Sequence, residues 1–408
     1  MTETSSKVQP MAQDYTIVWH NPDVERYVEG CGLVRLDNGD LVAAVPVVPR
    51  FIWSKERRAD QSRSHILKSA DGGKEWQKIA EFNFYSAIPW VYEGALYLFA
   101  NKGGTEYRND DLLLLRSDDG GSTWTEPVTL FEGHFWNCHT GMVIRDHRLY
   151  WAIDDLGLGS AYEQPDDIRH GACRAPRAIT GDLRRGPMDP GSWRMSNPVF
   201  FPEHTDALFN VRFAENASHY LEPNLIDVNG QLRMLATVKL KGQTTANLCA
   251  VADIADDGSK LDATFVQFSP MPGGHLKFCV IWDEVSCMFW ATANLTVDSQ
   301  KVFNWKIKEQ GTEPDRVFAP LPGGDDRRFL MLFYGLDGMN WFQAGCVARA
   351  GQLTQSFMYA KPVIDGDDLV IISRSSVQAP NRHDADFAAL HRVHHFRRLA
   401  LDLYPDPN

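Results

Sequence analysis

Apolar residues along this chain come in short runs, each ended by a polar or glycine-containing turn. No long stretch repeats its apolar positions at the spacing one helix face requires, so the pattern predicts an all-β chain of short strands. Six times an apolar run, a tight polar turn and a second apolar run follow one another. The turns fall at Asn38-Gly39, Glu93-Gly94, Asp146-His147, Asn229-Gly230, Asp283-Glu284 and Asp365-Gly366-Asp367. Asn-Gly and Asp-Gly suit tight hairpins, whose central residues need positive φ. Successive turns are 55, 53, 83, 54 and 82 residues apart. The shorter intervals fit one four-stranded unit each. The longer ones predict insertions at 155–210 and 297–322, both rich in Pro, Gly and charge.

A second repeat lies over the first. Ser69-Ala70-Asp71-Gly72-Gly73-Lys74-Glu75-Trp76 recurs 48 residues later as Ser117-Asp118-Asp119-Gly120-Gly121-Ser122-Thr123-Trp124, and a worn copy spans 334–341. Asp-Gly-Gly makes a tight turn, because Asp caps its own backbone and Gly accepts positive φ. The Trp anchors the turn. The S-x-D-G-G-x-x-W pattern resembles the Asp-box of sialidase-like β-propellers. With six hairpins, the resemblance implies a six-bladed β-propeller. Residues 15–19 read as a strand that closes the ring against a last strand at 395–403, which removes the open edge. The expected organisation is a flexible segment over 1–14 and a single propeller domain over 15–408.

In a propeller the first strands of the blades surround the axis and their starts line one mouth. About seven residues before the hairpin turns stand Glu29 and Cys31, Tyr85 and Ser86, His139, Glu222, His275 with Lys277, and Tyr359. Titratable and hydrogen-bonding side chains at equivalent positions of several blades are the layout of an active site. Asp60, His134, Asn137, His219, Tyr220, Lys239, Arg327, Arg328 and His383 are further polar candidates nearby. Each has a structural alternative: His139 as a core histidine, Glu222 as a strand-start residue, Tyr359 as packing, Arg327-Arg328 as a solvated pair.

The chain has 408 residues, 44% hydrophobic and 11% aromatic, with 12 Trp, enough for a large closed β-architecture. The net charge of −12 disfavours nucleic acid or an anionic membrane as partner but permits an acidic glycan in a local basic pocket. The seven Cys include no C-x-x-C pair; buried free thiols are expected, with Cys279–Cys287 as the alternative pairing. No metal and no cofactor is expected. The opening residues lack an apolar signal core, and no run reaches membrane-spanning length. As it stands the sequence predicts a cytoplasmic protein; a processed signal peptide ahead of it would predict a periplasmic or secreted one.

Sialidases use a Tyr nucleophile, a Glu that activates it, an Asp acid/base and three Arg on the substrate carboxylate. The stretch Glu222-Pro223-Asn224-Leu225 is similar to the strand that carries the Glu, and Phe357-Met358-Tyr359 to the strand that carries the Tyr. Asp60 stands where the resemblance implies the acid/base. The Arg set departs from the family: Glu29 occupies the first position and Lys239 the second, leaving Arg327 or Arg328 for the third. Sialic acid is therefore not the expected substrate, because Glu cannot grip a carboxylate as Arg does. The same features resemble the propeller polysaccharide lyases, including ulvan lyases, with His139, Tyr220 and Lys239 in the roles and His275 or Lys277 assisting. The segment 381–386 together with His395-Phe396-Arg397 resembles a C-terminal motif of bacterial sialidase-like proteins. The expected function is a glycoside hydrolase acting on an oligo- or polysaccharide other than a sialoside. A uronate lyase, or a glycan-binding propeller without catalysis, is the alternative.

Overall fold

A computed structural model describes residues 9–49, 62–101, 110–156, 175–199, 219–239, 247–295, 327–351, 355–376 and 383–403. Six antiparallel sheets succeed one another along the chain, and together they form a six-bladed β-propeller. Blade 1 runs from Arg26–Val28 and Gly32–Arg35 through Leu41–Pro49 and Arg63–Ser69 to Gln77–Phe82. Blades 2 to 5 begin at Ser86–Tyr92, Phe135–Trp136, His219–Val228 and Cys279–Asp283. Blade 6 is composite: Ser356–Asp365, Asp368–Ser376 and Phe387–Val393 are completed by the N-terminal strand Tyr15–His20. Among the described residues the helices are short 3-10 turns, at Pro190–Ser192 and Phe396–Leu399.

All six predicted turns join the first and second strands of a blade. Glu93 and Gly94, Asp146 and His147, and Asn229 and Gly230 have positive φ at both central positions, as two-residue hairpins require. Strands read as unbroken apolar runs where both faces are covered: Leu41–Pro49 is buried throughout, since its two faces pack against neighbouring blades.

Ring closure differs from expectation in its outer partner. Tyr15–His20 pairs with Phe387–Val393, Tyr15 opposite His391 and His20 opposite Phe387, rather than with 395–403. Phe-Ala-Ala-Leu-His-Arg-Val alternates as a strand, whereas His395 turns left-handed at φ 49° and opens the 3-10 turn. Within the segment expected to be flexible, the Met11 and Ala12 amides donate to Cys346 O and Val347 O. Much of 155–210 is not an insertion: Ala175–Asp182 and Trp193–Met195 are the outer strands of blade 3. The insertion expected at 297–322 lies outside the described residues.

The two S-x-D-G-G-x-x-W turns share one hydrogen-bond network. Ser69 Oγ donates to Asp71 and accepts from Gly73 N, and Trp76 Nε1 donates to Gly73 O at 3.1 Å. Ser117, Asp119, Gly121 and Trp124 repeat these bonds, with the last at 2.8 Å. Both Trp are half-buried. The worn copy keeps the Asp337 bonds to Met339 N and Asn340 N, but Trp341 Nε1 is without a partner among the described residues. Ser69 and Ser117 end third strands opposite Leu41 and Leu96, the first half of the second strands. The turns therefore lie at the opposite end of the blades from the starts of the first strands.

Candidate active site

The starts of first strands and the ends of second strands meet at one mouth: Val28 pairs with Val47, Ser86 with Asn101, His219 with Lys239 and Ser356 with Ser376. Inner strands of adjacent blades pack side by side, Gly32–Arg35 against both Ser86–Tyr92 and Ser356–Asp365. At this mouth four inner strands lose their regularity. Blade 1 breaks between Val28 and Gly32, which places Glu29, and blade 3 between Trp136 and Val143, which places His139. Blades 4 and 6 bulge: their registers shift between Leu221 and Asn224 and between Met358 and Lys361. Glu222 and Tyr359 sit in those bulges at φ 52° and 54°. A left-handed Tyr is a strained conformation, held only where the surroundings enforce it, and bulges re-aim side chains beside functional sites.

Tyr359 is buried under two guanidinium groups. Arg374 lies 4.0 Å from its ring centroid and Arg327 5.4 Å. Burial pushes the Tyr359 hydroxyl well above its ordinary value; the Glu222 carboxylate raises it further, and Arg374 and Arg327 oppose the shift. The phenol is therefore protonated at neutral pH and needs a base to become a nucleophile. Glu222 is 2% exposed, its amide donates to Asp154 Oδ2 at 2.9 Å, and its Oε1 has no hydrogen-bond partner among the described residues. A buried carboxylate oxygen left unsatisfied is costly, and the charge of this carboxylate acts on the protonated Tyr359 phenol.

Arg374 is fully buried and comes from the second strand of blade 6. Its Nη1 donates to Glu29 Oε1 at 2.5 Å and to Val28 O, and its Nη2 lies 3.3 Å from His383 Nε2. Glu29, which stands where the sialidase resemblance implies an Arg, is thus bound by a guanidinium supplied from the last blade. Sequence reasoning missed Arg374 and Asp154. Both end second strands, so reading a fixed distance after each hairpin turn, as well as before it, would have found them.

The other candidates divide. Arg327 is buried at the site, and its Nη1 meets Met358 Sδ. Arg328, on the alternate face, is half-buried and lies 5.4 Å from the Phe329 ring centroid. His134 pairs with Asp110 at 2.7 Å, where it joins blades 2 and 3. Ser86 Oγ donates to Asn137 O, and Asn137 Nδ2 donates to Ala152 O. Tyr85 and Cys31 share a core cluster with Tyr359, and burial pushes the Cys31 thiol up to about 12, unlike a nucleophilic thiol. Lys277 Nζ donates to Ala360 O at 2.8 Å, and His275 is buried two residues before it. His139 Nδ1 accepts from Leu33 N at 3.1 Å. Cys279 and Cys287 are free thiols. His219, Tyr220 and Lys239 lie on the paired strands at the mouth of blade 4; their side chains, and Asp60, lie outside the described residues. No group of residues that could hold a metal ion occurs among the described residues, and no described helix is long and apolar enough to cross a membrane.

No protein-family model matches the chain, and no curated protein sequence matches it either. Solved structures do. A protein of unknown function from Dyadobacter fermentans superimposes with a TM-score of 0.57 at 13% identity, over 94% of this chain and 98% of its own. The Penicillium chrysogenum alpha-L-arabinanase, complexed with arabinobiose, gives 0.53 at 13%, over 95% and 99%. The Hadza microbial sialidase Hz136 gives 0.59 at 15%, over 93% and 68%. At these identities the likeness is one of fold: the chain is built on the same six-bladed propeller as sialidases and arabinan-active hydrolases.

Proposed function

We propose that the protein is a glycoside hydrolase acting on an oligo- or polysaccharide other than a sialoside, with Tyr359 as nucleophile and Glu222 as its base. The observation that carries this reading is Tyr359 itself: a strained, protonated phenol under Arg374 and Arg327, within the electrostatic reach of a buried Glu222 carboxylate that has an unsatisfied oxygen among the described residues. Glu222 takes the phenolic proton while Tyr359 Oη bonds to the anomeric carbon and the glycosidic C–O bond breaks. The leaving oxygen takes a proton from an acid, the role the resemblance gives to Asp60. Water then attacks the anomeric carbon, and Tyr359 departs as a phenolate that recovers its proton. The guanidiniums stabilise that phenolate, a charge absent from the ground state, which is where stabilisation accelerates. Glu29 supports the non-sialoside reading, because it neutralises Arg374 within the protein and leaves that cation no demand for a substrate carboxylate.

The test is a panel of aryl glycosides and polysaccharides, alpha-L-arabinofuranosides and sialosides included, read for new reducing ends and for ultraviolet absorbance of unsaturated products. Hydrolysis predicts reducing ends without absorbance, and little turnover of the sialoside. Absorbance, abolished by His139→Ala and mildly reduced by Tyr359→Phe, would make the protein a lyase. Binding with neither signal would make it a glycan-binding propeller.

A further inference from the structure

The described part of the 381–386 motif, His383-Asp384-Ala385-Asp386, is stitched across the seam between blades 6 and 1. Val28 N donates to Ala385 O at 2.9 Å, the Asp386 amide donates to Ser375 O at 3.1 Å, and Asp386 O accepts from Asn21 N at 2.8 Å. Val28 immediately precedes Glu29, and Ser375 immediately follows Arg374. The backbone therefore delivers His383 and Asp384 to the rim of the mouth, where Glu29 and Arg374 meet.

Four side chains then run in continuous contact from solvent to Tyr359. Asp384 Oδ1 lies 3.0 Å from His383 Nδ1, His383 Nε2 lies 3.3 Å from Arg374 Nη2, and Arg374 Nη1 holds Glu29. The Arg374 guanidinium sits 4.0 Å from the Tyr359 ring centroid. Side-chain exposure falls from 38% at His383 to 0% at Arg374.

Donor chemistry fixes the direction of each bond. A guanidinium only donates, so His383 Nε2 accepts; an ionised carboxylate only accepts, so Nδ1 carries the proton. His383 is thereby a neutral imidazole of the Nδ1–H tautomer, and Asp384 selects that tautomer. Neutrality matters at this place. Glu29 already balances the charge of Arg374, and a second carboxylate on Nη2 would weaken the action of the guanidinium on a phenolate at Tyr359. An imidazole satisfies Nη2, and so orients the guanidinium plane, without adding charge.

We propose that His383, oriented by Asp384, is a positioning residue that holds the Arg374 guanidinium over the Tyr359 ring. Its catalytic consequence rests on the reading of Tyr359 as nucleophile, whereas the arrangement itself is tested without turnover. The full chain, with isotope-labelled histidine and tyrosine, is compared by NMR as wild type, His383→Gln and His383→Leu. Gln keeps a neutral acceptor for Nη2; Leu keeps bulk and removes it. The His383 signals are assigned by their loss in His383→Gln, and the Tyr359 ring signals by their loss in Tyr359→Phe. The expected result is a His383 ring protonated on Nδ1, and Tyr359 ring signals that move in His383→Leu but stay near their wild-type positions in His383→Gln. A His383 ring protonated on Nε2, or Tyr359 signals indifferent to His383→Leu, overturns the proposal. The first of these is read on wild type and decides even if His383→Leu fails to fold. Turnover of the aryl glycosides separates the two claims. His383→Leu should lower kcat by about 10²-fold with KM unchanged, as loss of an interaction used only in the transition state does, and His383→Gln should recover most of it. A wild type that turns over none of the glycosides fails the hydrolase reading and leaves the NMR signals to decide His383. Wild-type turnover in His383→Leu overturns the positioning role and leaves the hydrolase reading standing.

Discussion

The distinction between a catalytic and a supporting residue is sharpest around Tyr359. Tyr359→Phe and Glu222→Gln each keep shape and burial, so both should lose about 10²–10⁴-fold in turnover with Tm nearly unchanged. Loss of stability in parallel with activity would mark the pair as structural. Arg374 is different, because it balances Glu29 in a fully buried ion pair. Arg374→Met leaves that carboxylate uncompensated and should cost about 3–5 kcal/mol in urea unfolding. Glu29→Gln with Arg374→Met should recover part of the loss. An additive double variant would show that the two groups do not act as a pair.

The elements show what the sequence made legible. Hairpin turns announced themselves because Asn-Gly and Asp-Gly report positive φ locally, and the four residues placed by broken or bulged inner strands were found by counting back from those turns. The bulges themselves left no local signature: nothing in Glu222-Pro223 or Tyr359-Ala360 marks a left-handed residue. Arg374 stayed hidden because its partner is 345 positions away, and only ring closure brings the two together. Strand ends were misplaced where apolar content misled, as with 395–403, where Phe396 is buried beneath a 3-10 turn rather than in a ladder. The Trp that anchor the S-x-D-G-G-x-x-W turns are only half-buried. Trp124→Ala should therefore cost about 2 kcal/mol in chemical unfolding, less than the ~3–5 of a fully buried Trp. Ser117→Ala, which removes a bond to Gly121 N, should cost about 1 kcal/mol.

At the scale of the whole molecule, stability depends on keeping the ring closed at the blade 5–6–1 seam. Phe396 is fully buried with its ring 4.8 Å from that of Trp290 in blade 5. Phe396→Ala should lower unfolding free energy by about 3–5 kcal/mol while unfolding stays a single transition. A separate early transition would mean the blades are not one cooperative unit. Charged pairs reinforce the same seam: Arg397 with Asp283 at 2.8 Å, and Arg35 and Arg392 with Asp365 at 2.7 and 2.8 Å. Burial pushes both carboxyls up, but Arg397 with Ser286 around Asp283, and Arg35 with Arg392 around Asp365, hold them below their ordinary value. Carboxyls more acidic in the folded than the unfolded chain contribute stability that is present above about pH 4 and lost as pH falls through their folded values. Urea midpoints should therefore drop below about pH 4, and Arg397→Met should flatten part of that drop; an unchanged slope would remove Asp283 from the account.

Attack on the sugar by Tyr359, with Glu222 as its base, would pass through a covalent intermediate that can be trapped. The protein is incubated with a panel of fluorinated glycosyl fluorides, and the labelled peptide is mapped by mass spectrometry. One sugar per chain is expected, attached to Tyr359 in wild type and absent in Tyr359→Phe. A sugar on any other residue, or hydrolytic turnover of the parent glycoside with Tyr359→Phe at the wild-type rate, would contradict it.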